Sequence, residues 1–247
     1  MNPALIGVPA VAVLASGITT YAAVHPRSQL FGATIRTTAA PLQLALTFDD
    51  GPNPAVTPLL LDLLDRYNAR ATFFMIGRFV RECPELAKEV AARGHLIGNH
   101  TQTHANLLWL SPRAIRSELQ QCQSALQDAI GAATKVFRPP YGLRNPWVVS
   151  TAHELGMRTV MWTLLPGDWL EKPAEWLTAR LRPIEDKARD ITNRSSGDLL
   201  CLHDGAHRQL NGDRIRTLKA LEYWLPRWRD LGLKFVTIGQ AVNTPAS

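Results

Sequence analysis

The chain has 247 residues, of which 46% are hydrophobic and 19% are charged, so it has enough apolar material for a sizeable core and is neither disordered nor of low complexity. Its formal net charge of +6 has two interpretations, namely anionic partners such as cell-wall polymers or lipid headgroups, or arginines spread over a solvated surface. The basic residues form no dense run and no pattern of stacking aromatic residues accompanies them, which argues against nucleic-acid binding.

The first predicted element is an uncharged segment at residues 4–23, which is about long enough to cross a bilayer. It is interpreted either as an export signal cleaved after Ala22 or Ala23 or as an uncleaved membrane anchor. No Lys or Arg precedes it, and Arg27 is the first basic residue, so its orientation is open. In a third interpretation, the segment packs against the folded domain. We favour an export or anchor segment, which predicts an extracytoplasmic or membrane-anchored protein.

From Leu42 onward, short apolar runs alternate with longer amphipathic segments. Three of these segments are predicted to begin as helices at Asn53-Pro54, Ser111-Pro112 and Asn145-Pro146, since Asn or Ser before Pro is a typical helix start. About seven repeats of this alternation predict an α/β fold, in which a parallel sheet covered by helices closes into a TIM-like barrel. We place one catalytic domain at residues 41–247, after a leader or anchor plus linker at residues 1–40. The predicted strands lie near residues 44–48, 71–75, 95–98, 135–137, 159–162, 199–202 and 234–236.

The cysteines are three in number, widely spaced and without a CxxC motif. This pattern argues against both a zinc finger and a disulfide framework. Cys122 falls on the apolar face of the helix predicted after Pro112, so we interpret Cys83, Cys122 and Cys201 as small buried apolar residues.

Polar side chains directly follow five of the predicted strands. Active sites of such barrels are built at the carboxyl ends of the strands, so we expect these side chains to converge on one mouth. In chain order they are Asp49 and Asp50, His100 and His104, Arg138 and Tyr141, Asp168 and Trp169, and His203 and Asp204.

The spacing of His100 and His104 predicts a metal site, because residues four apart can be presented on one side of a turn. Two imidazoles and one carboxylate make a three-ligand site that leaves positions open for water and substrate. Either Asp49 or Asp50 can supply the carboxylate, and its neighbour can accept a proton from the water. Zinc lowers the pKa of such a water to about 7.

Two further residues suit the same chemistry. His203 can protonate a leaving amine, and Arg138 can hold the base carboxylate through paired charged hydrogen bonds. Taken alone, each has a simpler interpretation, namely a hydrogen-bonded core histidine and a surface ion pair. No comparable setting surrounds the other histidines, to which we assign no function: His25, His95, His153 and His207.

Together, these segments resemble the five motifs of the polysaccharide deacetylases, the NodB-type domain of carbohydrate esterase family four. The similarity spans residues 42–236 and implies a distorted (β/α)7-type TIM-like barrel. It also implies a divalent metal ion, usually Zn²⁺, with Co²⁺, Ni²⁺ or Mn²⁺ as alternatives. The matching segments are Thr47–Pro52, His100–His104, Arg138–Tyr141, Asp168-Trp169 and His203-Asp204.

When the family's residues are carried over by position, the two aspartates receive different roles. The resemblance implies that Asp49 is the catalytic base and that Asp50, His100 and His104 bind the metal. It further implies that Arg138 orients Asp49.

The resemblance also implies the remaining roles. The backbone amide of Tyr141, with the metal, would stabilise the oxyanion. His203 would be the general acid. By their position at strand ends, Asp168 is expected in the catalytic group, and the side chains of Tyr141 and Trp169 are expected to contact substrate at the mouth.

Two positions depart from the family pattern. Leu165 stands where the family has an aspartate that tunes the acid histidine, which leaves Asp168 or Asp204 as replacements. Cys201 stands where the fifth motif usually has leucine.

The leading functional hypothesis is hydrolysis of N-acetyl groups on an N-acetylglucosamine-type glycan, such as peptidoglycan, chitin oligomers or an exopolysaccharide. One alternative keeps the metal site but acts on a small-molecule amide, cyclic imide or O-acetyl ester. The other is a glycan-binding protein with a degenerate site, against which the intact aspartates and histidines argue.

Overall fold

Eight parallel strands form one sheet within residues 17–243, the part of the chain that the computed structural model describes. Along the sheet the order is β1-β6-β5-β4-β3-β2-β7, and β8 pairs with β2. The strands are β1 Thr34–Ile35, β2 Gln43–Gly51, β3 Ala71–Met75, β4 Leu96–Asn99, β5 Val136–Phe137, β6 Arg158–Val160, β7 Asp198–His203 and β8 Lys234–Phe235.

The sheet curls because the segment after β6 returns towards β7. Leu164 forms a parallel bridge with Leu200, and the backbone N–H of Cys201 donates to the carbonyl oxygen of Leu164 at 3.0 Å. The result is a curled half-barrel of parallel strands, which confirms the predicted α/β, distorted TIM-like fold. All seven predicted strands are present. The two-residue strand β1 was not predicted, because so short a segment has no periodicity, and it lies before residue 41.

The helices cover the outside of the sheet. In chain order they are α1 Thr57–Arg66, α2 Gly77–Glu82, α3 Pro84–Ala92, α4 Pro112–Ile130, α5 Pro146–Glu154, α6 Ala174–Arg180, α7 Arg182–Arg189, α8 Ile215–Asp230 and α9 Ile238–Asn243. Residues 17–24 are also helical, and short 3₁₀ turns lie at Leu107–Trp109 and Pro140–Gly142.

Two of the three predicted helix starts are confirmed. The side chains of Ser111 and Asn145 accept hydrogen bonds from the first turns of α4 and α5. The predicted start at Asn53-Pro54 is wrong, since α1 begins at Thr57. The side-chain amide of Asn53 instead donates to the carbonyl oxygens of Asp204 and Gly212, which ties the loop after β7 to the end of β2.

The side chains of β2 alternate between the two faces of the sheet, and those on the inner face include both apolar and polar groups. Leu44, Leu46 and Phe48 pack with the covering helices in the main core. Ala45 faces the other side, in a second apolar cluster with residues of β3, β5, β6 and β7. Thr47 and Asp49 share that inner side, nearer the carboxyl end. The interior is therefore apolar at one end and polar at the other.

A buried arginine attaches the N-terminal described residues to the domain. The Arg144 guanidinium donates to the carbonyl oxygens of Ala22, His25 and Ser28 at 3.3, 2.7 and 3.4 Å. Residues 4–16 of the predicted leader lie outside the described residues. Among residues 17–243, none of the helices has the length and apolar character needed to span a membrane.

The buried face of α1 gives a matched pair of stability predictions. Leu61 is fully buried in the main core, whereas Leu59 on the same helix is 50% exposed. We expect Leu61→Ala to lower the free energy of unfolding by about 2 to 5 kcal/mol, because it removes apolar contacts and leaves a cavity. Leu59→Ala should change it by about 0.5 kcal/mol or less. Urea unfolding of both variants checks this, and equal losses would contradict the packing described here.

Candidate active site

A cavity of about 660 Å³ opens at the carboxyl ends of the strands, where the sequence predicted a mouth. Arg138 and Asp168 lie buried beside it, and Asp204 is buried next to Gly51. The predicted site residues that line it directly are Asp49, Asp50, His100, His104, Tyr141, Trp169 and His203.

Unusual backbone conformations position several of these side chains. Asp50, Thr101, His104 and Tyr141 have φ values of 71°, 67°, 61° and 58°, which are uncommon for residues other than glycine. They are four of the five such non-glycine residues within residues 17–243. Backbone strain of this kind concentrates at functional sites.

The conformation of Asp50 lets two adjacent carboxylates share one cavity. The pairing of β2 with β3 shifts between Asp49 and Gly51, so the normal alternation of side chains stops there. Both Asp49 and Asp50 consequently line the cavity.

Asp50 and the two predicted histidines form a convergent set of ligand atoms. Asp50 Oδ1 lies 3.1 Å from His104 Nε2 and 3.5 Å from His100 Nε2. The Nδ1 of His100 donates to the carbonyl oxygen of Arg138 at 2.8 Å, so its Nε2 presents a lone pair towards Asp50. Asp50 Oδ1 is buried and makes no hydrogen bond of good geometry within residues 17–243. Such an oxygen beside imidazole lone pairs fits a divalent cation.

The electrostatics of this set favour its metal-binding protonation states. Burial lowers the pKa of His104, which favours the neutral imidazole that binds metals. Burial acts to raise the pKa of Asp50, but contacts with His100, His104 and His207 outweigh it and hold that pKa well below its usual range.

His207, to which we assigned no function, lies against the same carboxylate. Its Nδ1 is 3.7 Å from Asp50 Oδ2, and its backbone N–H donates to that oxygen at 3.2 Å. Its ring stacks on His104 with 4.4 Å between centroids. The sequence signal that could have found it is its place four residues after His203, on the loop that follows β7.

Asp49 is held from two sides by buried groups. Arg138 Nη1 donates to Asp49 Oδ1 and to Thr47 Oγ1, both at 2.7 Å, and Cys201 Sγ donates to Asp49 Oδ2 at 3.4 Å. The guanidinium also stacks over Phe74, 4.3 Å from the ring centroid. The arginine reaches the carboxylate through one nitrogen rather than the paired hydrogen bonds we expected, because Nη2 donates to the carbonyl oxygen of Met161.

Of the two replacements expected for an aspartate at Leu165, Asp168 is the one that contacts His203. Its Oδ1 accepts from His203 Nδ1 at 2.8 Å, and its Oδ2 accepts from the His203 backbone at 2.7 Å. Burial acts to lower the pKa of His203, but the charge and hydrogen bond of Asp168 outweigh it and raise that pKa to about 9. Asp204, the other candidate, accepts a hydrogen bond from Thr57 instead, and burial raises its pKa to about 7.

This pairing predicts a pH effect for Asp168→Asn. In the wild type, a pKa raised from 6.5 to about 9 keeps His203 protonated as an acid across neutral pH, and the pairing stabilises the fold until pH rises through about 9. Without the Asp168 charge and hydrogen bond, only the charges of Asp50 and Asp49 oppose burial, so the pKa of His203 and the alkaline limb of kcat should move down. Profiles of kcat against pH check this.

The exposed Asp186→Asn is the matched control and should leave the profile unchanged. If Asp168→Asn lowers activity too far for kinetics, NMR titration of the His203 ring gives the same comparison. An alkaline limb or a ring pKa equal to that of the wild type would refute the role of Asp168.

A carboxylate–imidazole set suited to a divalent cation lies beside a fixed carboxylate and an imidazole whose pKa is raised to about 9. This arrangement suits a metal-dependent hydrolase. Comparison with known proteins identifies the class more closely, because residues 37–160 match the polysaccharide deacetylase family.

Individual relatives agree with this match. The chain is 38% identical over 200 residues to a peptidoglycan-N-acetylglucosamine deacetylase of Bacillus cereus, covering 81% of this chain and 88% of the relative. It is 34% identical over 204 residues to a chitooligosaccharide deacetylase of Azorhizobium caulinodans, covering 80% and 93%. A peptidoglycan N-acetylglucosamine deacetylase solved with 4-naphthalen-1-yl-N-oxidanyl-benzamide superposes with a TM-score of 0.72 at 29% identity, covering 87% and 94%. The chain therefore belongs to the polysaccharide deacetylase family, and it is an N-deacetylating hydrolase.

Proposed function

We propose that this protein removes N-acetyl groups from an N-acetylglucosamine-type glycan, with peptidoglycan and chitin-like oligomers as the leading substrates. The observation that carries the proposal is the convergence of Asp50, His100 and His104 beside the fixed carboxylate of Asp49. The names of the relatives support the substrate class, since peptidoglycan N-acetylglucosamine and chitooligosaccharides both carry N-acetylated amino sugars.

We assign the metal to Asp50, His100 and His104. Two imidazoles and one carboxylate suit zinc, and Co²⁺, Ni²⁺ or Mn²⁺ can use the same donor atoms. When bound, the ion would supply Lewis acidity to a water molecule and to the acetyl carbonyl group.

The side chains around this site divide the proton transfers between them. Asp49 accepts the proton of the attacking water, while Arg138 and Cys201 hold its carboxylate in one orientation. His203 donates a proton to the departing amine nitrogen, and Asp168 keeps the imidazole oriented and charged.

Two residues at the rim complete the proposed assignment. The left-handed backbone of Tyr141 belongs to the turn Pro140–Gly142, whose amide at Tyr141 would donate to the developing oxyanion. The side chains of Tyr141 and Trp169 are 52% and 43% exposed at the cavity, where sugar rings can cover them.

The decisive experiment measures bound metal and released acetate together. The purified full-length protein is loaded with zinc and given N-acetylated chito-oligomers or peptidoglycan. We expect acetate release, its loss on chelation and its recovery when zinc is restored. Bound zinc without acetate release would instead favour a small-molecule amide or an O-acetyl ester as the substrate. Failure to bind zinc after reconstitution would refute the proposal.

A cell-wall glycan lies outside the cytoplasm, so the substrate class supports an extracytoplasmic location. We propose that residues 4–23 act in export or membrane association and that the catalytic domain spans residues 41–247. Immunodetection in cytoplasmic, membrane and extracellular fractions tests this, and recovery from the cytoplasm alone would contradict it.

A further inference from the structure

We propose that His207 is a further protein ligand of the metal ion, so that the cation is held by three imidazoles and one carboxylate. The inference rests on the proposed function, because the ion is the one assigned to Asp50, His100 and His104. It goes beyond that assignment by adding a ligand from a different part of the chain, namely the loop between β7 and α8.

The position of His207 is fixed by its backbone rather than by its ring. Its N–H donates to Asp50 Oδ2 at 3.2 Å, and its carbonyl oxygen accepts a hydrogen bond from the Arg78 guanidinium. Ligand atoms of Asp50, His104 and His207 all lie within 4.8 Å of one another. Two atoms bound to one zinc ion at about 2.0 to 2.2 Å can be no more than about 4.4 Å apart. Ligation of one ion by all three also requires side-chain rotations that open the stack of the His104 and His207 rings, whose planes are 15° apart.

The orientation of the His207 ring suits ligation through Nδ1. That nitrogen lies 3.7 Å from Asp50 Oδ2, on the metal side of the ring. The other nitrogen, Nε2, lies 3.4 Å from the hydroxyl oxygen of Tyr141. Histidines that bind metals commonly donate their second ring N–H to a polar partner, which fixes the tautomer. If Nε2–H donates to Tyr141, the Nδ1 lone pair faces the carboxylate.

The added imidazole changes which cations the site prefers. Three imidazoles and one carboxylate favour zinc and neighbouring transition metals over magnesium or calcium, which prefer oxygen ligands. Zinc can expand to five ligands, so a position for water is retained. The ring of His207 is about one-third exposed, in keeping with a ligand contributed by a loop at the mouth.

The test compares metal binding by His207→Ala and His207→Gln with that of the wild type, using the metal-depleted full-length protein. Calorimetry gives the zinc affinity, and the visible absorption spectrum of bound Co²⁺ reports how the metal is coordinated. We expect zinc affinity to fall by at least about tenfold, since even losing a partner of a ligand costs about 10- to 100-fold. The Co²⁺ spectrum should change in both variants. His153→Ala, at an exposed position on α5, is the matched control and should match the wild type.

An unchanged zinc affinity would overturn the inference, as would a weaker affinity with an unchanged Co²⁺ spectrum, which would place His207 outside the ligand set. These results are distinguishable from failure of the proposed function. If the wild type binds zinc and releases acetate while His207→Ala behaves identically, only the role of His207 is refuted. If the wild type binds no zinc, both proposals fail.

Discussion

The His104→Ala variant is expected to lose stoichiometric zinc and, with it, measurable deacetylation. The imidazole of His104 lies 3.1 Å from Asp50 Oδ1, and the residue sits in a left-handed backbone conformation that aims the ring at the carboxylate. Removing it takes away a ligand, so zinc affinity should fall by more than about 100-fold, the upper cost of losing only a partner of a ligand. Calorimetry and metal analysis of the purified variant measure the loss, and acetate release measures its consequence.

His153→Ala again serves as the control, because it removes an imidazole from the surface without touching the cavity. Circular dichroism should show that both variants remain folded. A His104→Ala protein that retained one zinc ion at wild-type affinity would remove His104 from the ligand set.

The Asp49→Asn variant should separate metal binding from catalysis. The amide oxygen can still accept from Arg138 Nη1, but the side chain can no longer take a proton from water. General-base catalysis contributes about 10²- to 10⁴-fold, so kcat should fall by that factor while zinc affinity stays near the wild-type value. Steady-state acetate release and calorimetry on one preparation provide both values.

This variant tests separately whether Asp49 is the general base and whether it binds the metal. If activity survives, Asp49 is not the base. If zinc is lost together with activity, Asp49 is a ligand, a role that its Oδ2 atom, 3.9 Å from His100 Nε2, could reach. Asp186→Asn, which makes the same chemical change on the surface of α7, should alter neither quantity.

The strands were predictable because buried strands consist of short runs of apolar residues. The apolar runs at residues 44–48 and 199–202 lie within β2 and β7, which pair in parallel register along six residues of each strand. The convergence of polar side chains at the strand ends follows from parallel topology and needs no further information. The start of α1 was misplaced because Asn53 uses its side chain for a distant loop, a contact that local sequence does not specify.

Contacts made by loops were harder to foresee. Asp168 reaches His203 because the chain between β6 and α6 returns to β7, a contact that local sequence does not specify. His207 meets Asp50 through a backbone hydrogen bond, which any residue type could make. The left-handed conformation of Asp50 has no signature in the residue pattern, although it brings both aspartates into one cavity.

The cysteine beside the catalytic base has a consequence for chemical reactivity. Burial, reinforced by the Asp49 charge, raises the pKa of the Cys201 thiol well above its usual range. Burial also raises the pKa of Cys122 to about 12 and, together with Glu82, that of Cys83. Because the thiolate is the form that alkylating agents and oxidants attack, the two buried sulfurs, those of Cys122 and Cys201, are poor nucleophiles. We therefore expect the enzyme to keep its activity in iodoacetamide, which acetate release before and after treatment would measure.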